Sequence, residues 1–107
     1  MKKTWLFAVL AVLFFPLALQ AKTTVIYHTS DSHGFYYAKD GRGGFAALAG
    51  LLKQEKLPYI LLDSGDFANG TVEAKNSKGI KSVLMMNALG YAASTLGNHE
   101  FDFKDPG

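Results

Sequence analysis

The chain has 107 residues, enough for one small domain at most, with 11 Lys+Arg against 9 Asp+Glu. It has no Cys, which excludes disulfides and thiolate metal ligands. Setting aside Lys2 and Lys3, which belong to a separate leading segment, basic and acidic residues balance at nine each, so nothing points to nucleic acid.

The leading segment reads as an export signal. Lys2 and Lys3 start it, "TWLFAVLAVLFFPLAL" is apolar and uncharged, and "LQA" ends it on a small residue. Cleavage is expected after Ala21, leaving 22–107 as the mature part. The competing reading is an uncleaved anchor. A bilayer needs about 20 apolar residues, and this run is shorter and broken by Pro16. No stable anchor is expected after cleavage, and no Cys follows the run to carry a lipid. An exported, Cys-free chain suits a periplasm or the cell exterior.

The mature part alternates. "TTVIYHT" (23–29) is β-branched and aromatic, a strand. "GGFAALAGLLKQEK" (43–56) sets Phe45, Leu48, Ala49 and Leu52 at helical spacing. "LPYILLD" (57–63) is a short continuous apolar run opened by Pro58, as in a buried strand. "KGIKSVLMMNALG" (78–90) places Ile80, Val83, Leu84 and Ala88 on one helical face, with Gly90 at the C-cap position. "YAASTLG" (91–97) is a weaker third strand. This β-α-β-α-β order predicts an α/β fold with a parallel sheet, right-handed crossovers and helices over both faces. The segments 34–44 and 64–78, rich in Gly, Asn, Ser and Lys, are expected to be exposed loops.

A polar cluster follows each strand: "HTSDSHG" (28–34), "DSGDFANGT" (63–71) and "GNHEFD" (97–102). In an open α/β sheet, ligands bind beyond the carboxyl ends of the strands. All three clusters therefore meet on one edge. Taken singly, each has a plainer explanation: Asp31 in an Asx-turn, Gly65-Asp66 in an ordinary turn, Asn98-His99 as a capping pair, Asp63 bonding locally at a strand end, and His28 as a satisfied edge imidazole. Together, carboxylate, imidazole and amide oxygen suit a hard or borderline divalent cation. Asp66, central in sequence, is the natural bridge between two such ions.

The motifs "SDSHG", "GGFAAL", "LLDSGDFANGT" and "ALGYAASTLGNHEFDF" resemble the calcineurin-like metallophosphoesterases, and within them the secreted 5′-nucleotidases. The resemblance runs from about Val25 to Phe103. It implies two divalent metal ions (Zn, Mn or Co) acting on a nucleotide or other phosphate ester. Asp31 and His33 would hold the first metal, Asp66 would bridge both, and Asn98 would hold the second through its amide oxygen. His99 would stabilise or protonate the phosphoryl transition state. Asp102 would orient His99, as a carboxylate fixes an imidazole tautomer and raises its pKa. Glu100 would face away from the metals.

The family also carries later histidines, including a "GHxH"-type motif, and a separate nucleoside-binding C-terminal domain. This chain has 3 histidines, none after His99. Residues 22–107 are therefore expected to be the N-terminal, incomplete half of a metallophosphoesterase-type α/β sandwich, with little turnover alone. Two other readings stand beside this one. One is a non-catalytic exported binding protein on the same scaffold, and the other a cyclic-phosphodiesterase or sulfur-ester hydrolase relative.

Overall fold

A computed structural model describes residues 22–41 and 43–103, so the expected export signal lies outside the described residues. Three strands form one parallel sheet in the order β1 (Val25–Thr29), β2 (Tyr59–Asp63), β3 (Ala93–Ser94). Val25 pairs with Tyr59 through to Thr29 with Asp63, and Asp63 pairs with Ser94. The strands thus end level, and the segments that follow them leave from one edge. Helix α1 (Gly44–Leu52) connects β1 to β2. Helices α2 (Val72–Asn76) and α3 (Ile80–Leu89) connect β2 to β3. Among the described residues no helix is long and apolar enough to cross a membrane.

The incomplete α/β class is as expected; four details differ. First, both faces of the sheet are not covered among the described residues. Burial alternates along β1, and the cross-strand partners Ile26 and Ile60 stay 65% and 42% exposed, whereas Leu61 is buried. Successive crossovers of one hand, stepping the same way, lay their helices on the same face.

Second, segment 64–78 is not an open loop. Gly65, Phe67 and Ala68 are buried, and Thr71 caps α2 by accepting the Ala74 N–H on its hydroxyl at 3.2 Å. Third, segment 34–44 is anchored by Tyr36, which stacks near Phe45 in the core.

Fourth, α3 buries a different face. Ile80, Val83 and Leu84 are exposed, while Ser82 and Met86 are buried. Apolar periodicity misled here because a hydroxyl sits at the buried position. Ser82 Oγ donates to the Phe67 carbonyl at 2.7 Å and lies 3.0 Å from the Tyr36 hydroxyl, so the polar side chain is satisfied inside. Gly90 closes the helix at φ +79°, as its position predicts.

The core joins Tyr36, Phe45, Phe67, Ala68, Ala74 and Met86, with Leu48, Met85, Leu89, Tyr91 and Phe103 packed around it. It sits beneath the segment bearing Phe67 and so anchors the residue beside Asp66.

Candidate metal centre

Asp63 draws the mouths of the three strands together. Its buried carboxylate accepts from Thr29 Oγ1 at 2.6 Å in β1's last residue and from Ser94 Oγ at 3.0 Å in β3's. It also accepts the Gly65 N–H at 2.7 Å, which starts the next turn. The local role expected of it is present, and the cross-strand role is added to it.

The segments beyond are bonded to one another rather than loose. Asp31 N–H donates to Gly65 O at 3.1 Å, and His33 N–H to Asp66 O at 2.9 Å. His99 N–H donates to Asp66 Oδ1 at 2.9 Å. These cross-segment bonds hold Asp31, His33 and Asp66 in left-handed backbone conformations, with φ of +53°, +45° and +59°. That region is uncommon for residues with a side chain, and it concentrates at functional sites. Gly97 allows the third segment to approach: a Cβ there would lie 2.6 Å from Asp66 Cγ.

One side-chain atom each from His33, Asp66 and His99 lies within 4.8 Å of the others, all half-buried. The two imidazoles meet edge to face, with ring centres 5.0 Å apart. Asp31 stands outside this group of three, more exposed, with Oδ1 3.8 Å from His33 Nε2 and its other oxygen accepting from the Ser30 hydroxyl. Asn98 opens the 3-10 turn His99–Phe101 and is exposed. His28 lies apart and is satisfied as expected, 2.5 Å from Ser64 Oγ.

The donor chemistry fits a cation. His33 Nδ1 lies 3.0 Å from the Asn69 carbonyl, which can only accept, so that nitrogen carries the proton. That leaves Nε2, 3.8 Å from Asp31 Oδ1, as the ring nitrogen open to a ligand. An imidazole nitrogen beside a carboxylate is a donor set that suits a divalent ion of the nitrogen- and oxygen-preferring kind.

Asp102 Oδ2 lies 2.6 Å from His99 Nδ1. That hydrogen bond is the main reason the His99 pKa lies above its ordinary value, outweighing partial burial, with the charges of Asp102, Asp66 and Glu100 adding to it. The same bond, then one from Asn69, holds the Asp102 carboxyl below its usual range.

Sequence reasoning gives Glu100 no task, yet its carboxylate binds four main-chain N–H groups. Oε2 takes those of Asp66 (2.8 Å) and Gly97 (2.6 Å). Oε1 takes those of Phe67 (2.8 Å) and Ala68 (3.0 Å). Burial pushes the Glu100 pKa up, but these four bonds outweigh it and hold it low. One half of this arrangement is local: Glu100 reaches back three residues to the Gly97 N–H, much as in a capping box, though Gly97 stands one residue before the turn-opening Asn98. The half that reaches 33 residues back, to Phe67, has no local signal.

A family model for calcineurin-like phosphoesterases matches residues 24–107. The chain is 38% identical over 90 residues to a snake venom 5′-nucleotidase of Gloydius brevicauda, covering 72% of this chain and 15% of that protein. It is 37% identical over 107 residues to the 5′-nucleotidase of Bos taurus, covering 87% and 18%. It is 37% identical over 89 residues to the 5′-nucleotidase of Vibrio parahaemolyticus, covering 76% and 16%. The chain thus spans less than a fifth of the length of these relatives.

Proposed function

Since the chain belongs to the calcineurin-like phosphoesterase family, we propose that it forms the N-terminal part of the catalytic domain of an exported, metal-dependent phosphate-ester hydrolase of 5′-nucleotidase type. The observation that carries this reading is the convergence of His33, Asp66 and His99 within 4.8 Å, with His99 held by Asp102. Family membership implies divalent metals. The finer reading is two ions of Zn, Mn or Co, with Asp31 and His33 on one, Asn98 on the other and Asp66 on both. The relatives named 5′-nucleotidase, one of them from venom, support a nucleotide substrate and a place outside the cytoplasm. The chain spans less than a fifth of these relatives; the further coordinating residues and the nucleoside-binding domain that the family resemblance implies would lie elsewhere in the same polypeptide.

The ions, when bound, would lower the pKa of a water nucleophile and neutralise phosphoryl charge. His99, cationic over a wider pH range because of Asp102, donates a hydrogen bond or proton to the phosphoryl group as negative charge develops there. Asp102 keeps the imidazole in one tautomer and orientation. The cross-segment bonds hold Asp31, His33 and Asp66 before substrate arrives, so little reorganisation is needed.

The test is hydrolysis of nucleoside monophosphates by the complete protein. EDTA abolishes it and Mn²⁺, Co²⁺ or Zn²⁺ restores it; activity that survives exhaustive chelation refutes the mechanism. His99→Ala lowers kcat by at least about 10²-fold. A binding protein on this scaffold would take up ligand unchanged by that substitution.

A further inference from the structure

Asn69 bonds directly to one of the two imidazoles, that of His33, and to the carboxylate that holds the other, that of His99. It lies in the segment between β2 and α2, three residues beyond Asp66. Its main-chain carbonyl accepts from His33 Nδ1 at 3.0 Å. Its side-chain Nδ2 donates at 2.6 Å to Asp102 Oδ2, the same oxygen that meets His99 Nδ1 at 2.6 Å. The orientation of this amide follows from chemistry, since only the NH₂ end can face a carboxylate. Its other end, Oδ1, is buried with no partner among the described residues.

We propose that Asn69 is a positioning residue that locks the Asp102 carboxylate so that Oδ2 stays in line with His99, while its own carbonyl fixes the tautomer of His33. Among the described residues, the other hydrogen bond that a side chain makes to Asp102 is that of His99 itself. The Asp102 side chain is 37% exposed, and the Lys75 charge acts on it without a hydrogen bond. One backbone segment therefore sets the rings of two residues that sit on different strand ends. This inference rests on the hydrolase reading above for its kinetic test, and on geometry alone for its spectroscopic one.

Asn69→Ala separates the two functions, because it removes the amide and keeps the carbonyl on His33. Asn69→Asp is the isosteric second variant, replacing the donor with a like charge. In the complete protein, both lower kcat by about 10–100-fold, the usual effect of losing a partner that orients a site residue, with KM within about twofold. Asn69→Ala made in Asp102→Ala costs nothing more, since the carboxylate it positions is gone. A kcat within about twofold of wild type, or losses that multiply in the double variant, overturns the proposal. Nitrogen-15 spectra of the histidine rings in the metal-free complete protein need no turnover. Asn69→Ala shifts the His99 ring signals and leaves those of His28 in place; unmoved His99 signals overturn the proposal. If wild type hydrolyses no phosphate ester, the hydrolase reading fails, and the ring spectra alone decide for Asn69.

Discussion

Removing the Glu100 carboxylate tests whether one side chain holds the second and third strand segments in register. In Glu100→Ala, four main-chain N–H groups lose their acceptor. Those of Asp66 and Gly97 belong to half-buried residues that water can reach; those of Phe67 and Ala68 belong to buried ones. Each buried donor left unpaired costs about 1–3 kcal/mol, so the two together give about 2–6 kcal/mol. Glu100→Gln keeps one oxygen, which can still serve Phe67 and Ala68, the two buried donors that share Oε1, so it loses less than Glu100→Ala. Its NH₂ is left facing the water-accessible Asp66 and Gly97 N–H groups. Urea denaturation of the three forms measures the differences, and Mn²⁺ calorimetry on the same samples should show weaker uptake, since the Asp66 amide is among the freed groups. A Glu100→Ala protein within about 0.5 kcal/mol of wild type would refute the reasoning. Water would then replace the carboxylate at no cost, and the bonds would be incidental.

Two further outcomes follow from groups away from the centre. Ser82→Ala strips the Phe67 carbonyl and the Tyr36 hydroxyl of a shared buried partner and should cost about 1–3 kcal/mol, read by thermal melting; a neutral result would mean the two re-pair elsewhere. Tyr27 and Glu55 share a 2.5 Å hydrogen bond, which lowers the Glu55 pKa and raises that of Tyr27. Glu55, titrating lower in the folded state, adds stability that is present above its unfolded pKa and lost as pH falls through its folded one. Tyr27, titrating higher, adds stability that is present below its unfolded pKa and lost as pH rises through its folded one. The Tm gap between wild type and Tyr27→Phe should therefore be flat from about pH 5 to pH 9 and close at both ends. A gap constant through pH 3 would refute the assignment.

What could be read in advance divides by the range of the interaction. Strand and helix identity came through because β-branched runs and helical spacing are local signals, as at Val25–Thr29 and Gly44–Leu52. Which face of α3 turns inward did not, because Ser82 is satisfied by Tyr36 and Phe67, 46 and 15 residues away. The meeting of three polar clusters was legible from topology, since parallel strands that end level bring their following segments to one edge. The contents of the meeting were less so. Nothing local to Glu100 or Asn69 announces that one collects the amides of a segment more than 30 residues earlier, or that the other supports a carboxylate 33 residues later.

Backbone strain offers an account of why those long-range bonds exist. Five non-glycine residues have positive φ among the described residues, and three of them, Asp31, His33 and Asp66, are proposed ligands. Aspartate and histidine tolerate this region better than most, but each still costs on the order of 1 kcal/mol or more. A loop free to relax would not keep three such residues together. Here each is fastened across segments: Asp31 N–H to Gly65 O, His33 N–H to Asp66 O, and Asp66 N–H to Glu100. The fastening lets short side chains converge from left-handed turns, where extended backbone would send alternate residues to opposite sides. A cation arriving at such a site has less ordering to impose, and more of its interaction with the ligands appears as affinity. The same reasoning would make Glu100 and Asn69 parts of the proposed metal centre in effect, the first through main-chain amides and the second through Asp102.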